Sequence, residues 1–178
     1  AGADIVSIGE FHKCIAAGIS SDKIIFSGVE KDKEEIEIAL RNNILQFNIE
    51  SEEELYDIYE VAKKYKITAN ICLRINPDIA PNTHKKISTG EKETKFGIDS
   101  EKIFSIYKKL HELDYINPVG LGVHIGSQIF DFSFFHRAYS NLKSIADNLK
   151  KSGYKIPTLD LGGGIGIHYE GKEKPNFD

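Results

Sequence analysis

"LDLGGGIGIHY", Leu159 to Tyr169, is the stretch on which the fold turns. An apolar run, residues 158–161, breaks into three consecutive glycines, Gly162, Gly163 and Gly164, with another at Gly166. Glycine has the most backbone freedom to lose on folding, so such a run weakens any helix or strand it enters. Two readings are open. The glycines form a tight strand-to-helix turn, or their N–H groups meet an anion with no side chain in the way. Phosphate is the natural anion for the second. The dinucleotide fingerprint G-x-G-x-x-G does not fit, because its third glycine would fall at Ile167, and no Gly-Lys-Ser/Thr follows to make a Walker A loop.

Working back from this stretch, five more β-rich apolar runs appear, at residues 4–7, 24–27, 44–49, 69–75 and 118–125. They are too continuous for half-exposed strands and read as strands of a parallel sheet buried on both faces. Helical patterns lie between them. In residues 51–65, Leu55, Ile58, Tyr59, Ala62 and Tyr65 share one face. Ser51 and Glu54 make a capping box, and Lys63, Lys64 and Lys66 suit the negative end of the helix dipole. Asp32 and Glu35 open a helix over residues 33–41 in a similar way, and residues 103–113 and 135–149 carry two more. The alternation gives a βα repeat with its first strands about 20 residues apart. A doubly wound sheet and an eight-stranded barrel both satisfy it. Residues 76–97 form a long loop without periodicity. It follows a strand and is therefore expected at the C-terminal edge, where ligands bind in either architecture.

Composition narrows the classes. Of 178 residues, 40% are hydrophobic and 28% charged, as in ordinary globular proteins. A net charge of -4, with Lys interspersed among Glu, argues against nucleic acid as a partner. No run approaches the roughly 20 apolar residues of a membrane span. Two cysteines, Cys14 and Cys72, make no disulfide framework and point to a reducing compartment, so a cytoplasmic protein is expected. The first and last residues read as interior to a longer chain, and one domain is expected.

Other strand ends carry chemistry. "HIGSQ", residues 124–128, offers the backbone of Gly126 and the hydroxyl of Ser127 to the same anion. His124 could stack on a ring, donate a proton, bind a metal, or serve only as a hydrogen-bonded structural residue. The spacing of the histidines and cysteines matches no metal motif, and no G-x-S-x-G is present. Asp4, Glu10 and Arg74 lie at or just past strand ends. Arg74 would be costly to bury alone, so an acidic or anionic partner is expected.

Taken together and in order, "GADIVSIGE", "IIFSG", "FNIES", "LRINPD", "THKKISTGEKETKFGI", "GVHIGSQ" and "LDLGGGIGI" resemble the diaminopimelate decarboxylases, a family of fold-type III pyridoxal-phosphate enzymes. The resemblance covers nearly the whole chain. It implies an alanine-racemase-like (β/α)8 TIM barrel of which strands two to seven of eight are present, with the first strand, the last strand and a C-terminal β-domain absent. The lysine that carries the cofactor would then lie outside this chain, and residues 1–178 alone would be inactive. Lys95 matches a different family lysine. The cofactor implied is pyridoxal 5'-phosphate, with its phosphate on Gly162, Gly163, Gly164, Gly126 and Ser127 and its ring against His124. Asp4, Glu10 and Arg74 match catalytic positions near the cofactor, and Ile87, Ser88 and Thr89 match the loop that covers substrate. The implied reaction turns meso-2,6-diaminopimelate into L-lysine and carbon dioxide, in a cytoplasmic homodimer, with no metal. The alternatives are an ornithine, arginine or carboxynorspermidine decarboxylase of the same fold, against which the Ile-Ser-Thr loop speaks, and a non-catalytic homologue.

Overall fold

A computed structural model of the chain describes residues 1–77 and 96–167. The elements among them alternate as β1 (Ala3–Ile5), α1 (Ile8–Ala16), β2 (Ile24–Phe26), α2 (Lys33–Arg41), β3 (Gln46–Ile49), α3 (Glu52–Tyr65), β4 (Ala69–Asn76), β5 (Ile98–Asp99), α4 (Ser100–Glu112), β6 (Ile116–Val123), α5 (Ser133–Lys151) and β7 (Thr158–Asp160). Hydrogen-bonded strands follow the order β1-β2-β3-β4-β6-β7, every pair parallel, with β5 beside the end of β4. A doubly wound sheet reverses its order at a switch point. This order never reverses, which decides the choice that periodicity left open: the sheet curls as part of an α/β barrel.

Helix starts are chemically marked. Ser7, Asp32 and Ser51 are the N-caps of α1, α2 and α3, and each side chain accepts the N–H of a glutamate three residues on, Glu10, Glu35 and Glu54. The Glu54 carboxylate reaches one residue beyond the capping box expected from sequence, accepting the N–H of Glu50 at 2.8 Å. Along α3, Leu55, Ile58, Val61 and Ala62 are buried against the sheet and its neighbours. The helix stops where Lys66 turns left-handed, at φ 55°. α1 satisfies the alternation although its pattern is weak: Phe11 is its one buried residue.

Side chains alternate across each strand, and the two faces of this sheet differ in kind. Ile5, Phe26, Phe47, Ile49, Leu73 and Leu121 belong to the apolar core shared with the helices, all at 1% exposure or less. The register sets Asn48 beside Cys72, Arg74 beside Gly122 and Gly122 beside Asp160, so the opposite face is largely polar. Gly122 matters here for its missing side chain. A Cβ at that position would lie 3.1 Å from the Asp160 Cβ and 3.5 Å from the Cys72 sulfur, so glycine opens the space in which the polar side chains meet.

Candidate functional site

Strand ends of a barrel converge on one side, and there the polar face opens into a cavity of about 370 Å³. That falls inside the roughly 300–1,000 Å³ of small-molecule sites. Asp4, Ser27, Asn48, Arg74, His124, Asp160, Gly162 and Gly163 line it. The structure therefore brings together Asp4, Arg74, His124 and the glycine corner, which sequence reasoning placed in one site.

The two loops after β6 and β7 are laced to each other. The Ile129 N–H donates to the Gly164 carbonyl and the Gly166 N–H to the Ile129 carbonyl, both at 2.9 Å. The Ile167 N–H donates to Gln128 Oε1, also at 2.9 Å. Gly126 and Ser127 thus sit against the glycine corner, as expected. Glycine is required at two points. At Gly162, φ is +66° and a Cβ would lie 2.4 Å from the Val123 carbonyl oxygen; at Gly164, φ is +104° and a Cβ would lie 1.8 Å from that of Gly126. Gly163 is different, with nothing within 4 Å of a Cβ built there.

Two of the three glycine N–H groups meet acceptors within the protein. The Gly162 N–H already donates to Asp160 Oδ1 at 2.9 Å, and the Gly163 N–H to His124 Nδ1 at 3.3 Å. Among the described residues, neither the Gly164 N–H nor the Ser127 hydroxyl has a protein partner, so these two remain for an incoming anion. An Nδ1 that accepts leaves the proton of a neutral imidazole on Nε2. Burial, and then the positive charge of Arg74, hold the His124 pKa below its ordinary value, against the pull of Asp160, Asp4 and Glu50.

Arg74 has the acidic partner its burial demanded. It pairs with Glu50, their side chains 16% and 10% exposed. Phe96 lies against the guanidinium, 5.8 Å from ring centroid to Cζ. Asp4 is pushed above the ordinary carboxyl range, first by burial and also by Asp160, while a hydrogen bond from Ser27 and the charges of His124 and Arg74 oppose the shift.

Glu10 stands beside the cavity lining, against Val6. Its Oε2 accepts the Val6 N–H at 2.8 Å at the start of α1, and it does not line the cavity. It occupies the third position after the Ser7 cap, just as Glu54 follows Ser51, and that spacing explains it as an end-group of a helix. Ile87, Ser88, Thr89 and Lys95 lie outside the described residues. Sequence reasoning missed Ser27, Asn48 and Asp160 as members of the site. Gln46 and Asn48 lie two residues apart in a strand buried at all four positions, an alternation of polar and apolar residues that points one set into the barrel.

No group of three potential metal-binding side chains occurs among the described residues, and no helix among them is long and apolar enough to cross a membrane. A phosphorylated aromatic cofactor suits the chemistry present: a bare backbone corner with a free N–H, a hydroxyl beside it, a neutral imidazole at the cavity wall, and open space above Gly163.

Comparison with known proteins places these features. The family model for "Pyridoxal-dependent decarboxylase, pyridoxal binding domain" matches residues 1–178. A diaminopimelate decarboxylase of Zymomonas mobilis is 46% identical over 169 residues, which is 95% of this chain and 40% of that protein. The crystal structure of diaminopimelate decarboxylase from Helicobacter pylori complexed with L-lysine matches with a TM-score of 0.89 and 42% identity, covering 98% of this chain and 44% of that one. The arginine decarboxylase of Paramecium bursaria Chlorella virus matches with a TM-score of 0.78 and 25% identity, over 98% of this chain and 44% of that one. The chain spans less than half the length of these relatives.

Proposed function

This chain belongs to the pyridoxal-dependent decarboxylases, and we propose that the full-length protein converts meso-2,6-diaminopimelate to L-lysine and carbon dioxide. The observation that carries the reading is the cavity at the strand ends, lined by Asp4, Arg74, His124, Gly162 and Gly163, with Ser127 beside Gly164 at the glycine corner. Its substrate branch is supported by the 46% and 42% identities to diaminopimelate decarboxylases, against 25% to an arginine decarboxylase of the same fold. Residues 1–178 are, in this reading, the greater part of a barrel domain completed by chain outside them. The whole protein acts as a cytoplasmic homodimer.

In this reading Ser127 and the Gly164 N–H hold the phosphate of pyridoxal 5'-phosphate, and Gly163 leaves room for it. His124 holds the ring. When bound, the cofactor supplies the electron sink that takes up the electron pair left as carbon dioxide departs. This chain's residues bind and orient. His124 is kept neutral by burial and Arg74, so it faces the ring as an uncharged group with its proton on Nε2. Arg74 is fixed by Glu50 and brings a positive charge to the cavity wall, where a substrate carboxylate would be attracted. Asp4, with its proton affinity raised by burial, is an acidic group of the wall suited to hold a proton. Ile87, Ser88 and Thr89 are proposed to cover the substrate.

The test is to supply the full-length protein with pyridoxal phosphate and offer meso-diaminopimelate, ornithine and arginine in parallel, following carbon dioxide and product mass. Lysine from diaminopimelate alone is the expected result. Putrescine or agmatine would retain the cofactor reading and overturn the substrate. Cofactor binding without any product would identify a non-catalytic homologue.

A further inference from the structure

Behind the glycine corner, a chain of side-chain hydrogen bonds crosses the polar face of the sheet. Asn48, on β3, is 5% exposed and uses every polar group of its side chain. Its Oδ1 accepts from Gln46 Nε2 at 2.8 Å, and its Nδ2 donates to Ser27 Oγ at 2.9 Å and to Asp160 Oδ2 at 2.7 Å. Asp160, on β7, turns its other oxygen to the Gly162 N–H at 2.9 Å. Residues 48 and 160 are 112 positions apart, so this pair ties the middle strand of the sheet to its far edge just where the glycines begin.

We propose that Asn48 and Asp160 are positioning residues for the cofactor-binding corner: Asn48 fixes the Asp160 carboxylate, and the carboxylate fixes Gly162, thereby setting the direction of the Gly164 N–H and the opening at Gly163. The inference rests on the reading of this corner as the phosphate site. Charge argues for the geometric role. A carboxylate beside a phosphate repels it, so Asp160 serves by holding the backbone and not by attracting the ligand. Corner geometry is sensitive to such an anchor, because a glycine has many accessible backbone conformations and Gly162, at φ +66°, depends on its contacts to stay in this one.

The pairing has a polarity that can be exchanged. In Asp160→Asn one face of the new amide must present a donor either to Asn48 Nδ2 or to the Gly162 N–H, and the clamp breaks. In Asn48→Asp two carboxylates meet at the 2.7 Å contact. In the double variant Asn48→Asp/Asp160→Asn, the amide at 160 donates to the carboxylate at 48 while its oxygen keeps Gly162. Gln46 can still donate to the new carboxylate at position 48, while the single Ser27 hydroxyl proton is shared between it and Asp4.

The experiment uses the full-length protein freed of cofactor and titrated with pyridoxal phosphate, followed by absorbance and by thermal melting of the cofactor-free form. Each single variant is expected to weaken pyridoxal phosphate about tenfold or more, the scale of a lost hydrogen bond to a charged group. The double variant is expected to return to within about threefold of the parent, a non-additivity that only coupled partners give. Asn48→Ala removes the donor without adding charge and reads the same effect if a single charged variant does not fold. Singles that bind like the parent, or a double that is no better than the worse single at equal melting temperature, overturn the clamp. A parent protein that fails to bind pyridoxal phosphate overturns instead the phosphate reading on which it stands.

Discussion

Substituting Gly163 and Gly164 in turn by alanine separates what the fold needs from what the ligand needs. At Gly164 the added Cβ would stand 1.8 Å from the Gly126 carbonyl oxygen and 2.9 Å from its carbon, both main-chain atoms, so one loop must move. Its φ of +104° adds backbone strain. Left-handed conformations cost a non-glycine residue about 1–2 kcal/mol, and overpacking adds about 1–3 kcal/mol. Gly164→Ala should thus cost roughly 2–5 kcal/mol, a large part of the 5–15 kcal/mol that holds a typical domain. At Gly163 a Cβ meets nothing within 4 Å and φ is not left-handed. Alanine there restricts the unfolded chain and should leave the cofactor-free protein unchanged or up to about 1 kcal/mol more stable. Yet Gly163 lines the cavity, so its methyl takes space at the proposed phosphate and should weaken pyridoxal phosphate about tenfold. The assay is thermal melting of both cofactor-free, full-length variants, paired with cofactor titration. A Gly164→Ala protein that melts with the parent would refute the close approach of the two loops. A Gly163→Ala protein with parental affinity would refute the placement of the phosphate.

Two other outcomes follow from the charges. The folded pKa of His124 lies below its unfolded value, so its contribution to stability is present above the ordinary imidazole value of about 6.5 and is lost as pH falls through the folded pKa. Arg74→Gln removes the charge that helps depress it and leaves Glu50 behind, so the His124 titration, followed by NMR of the imidazole, should move upward; an unmoved titration breaks that coupling. Lys31 pairs with Glu54, their side chains 1% and 9% exposed, and its ammonium also bonds the carbonyls of Gly28 and Asn48. Lys31→Met should cost about 3–5 kcal/mol by leaving the Glu54 carboxylate without its cation, and adding Glu54→Gln, which removes the charge but keeps an acceptor for the Glu50 N–H, should recover part of it; thermal melting reads both, and a single variant as stable as the parent contradicts the pair.

The parts of this molecule that were legible in its sequence are those set by local patterns. The central strands β3, β4 and β6, buried almost throughout, show as continuous apolar runs, whereas β1 and β7, at the two ends of the strand order, are largely exposed in spite of the same pattern; helix starts show as Ser or Asp followed by Glu three residues on. The same local signal, read more strictly, would have explained Glu10. Ser7 and Glu10 have the spacing of Ser51 and Glu54, and both glutamates turn back onto the main chain one residue before the cap. The choice between a barrel and a doubly wound sheet was not legible from periodicity, because both repeat the same unit and differ only in whether strand order reverses.

Asn48 and Asp160 escaped for a related reason. Each has an obvious local reading, a polar residue in an apolar strand and an acidic residue before a turn. Their role arises from a contact between strands 112 residues apart, which no window on the sequence contains. What a single sequence does contain is the parity. Gln46 and Asn48 fall on one face of β3 while Phe47 and Ile49 fall on the other, and all four are buried. Buried amides need partners, so a strand whose two faces are both buried and whose polar residues share one parity must face other polar groups across the sheet. Read this way, the interior of the barrel can be expected to be a hydrogen-bonded layer beneath the cavity, and the residue that ends the glycine strand is the place where that layer reaches the ligand.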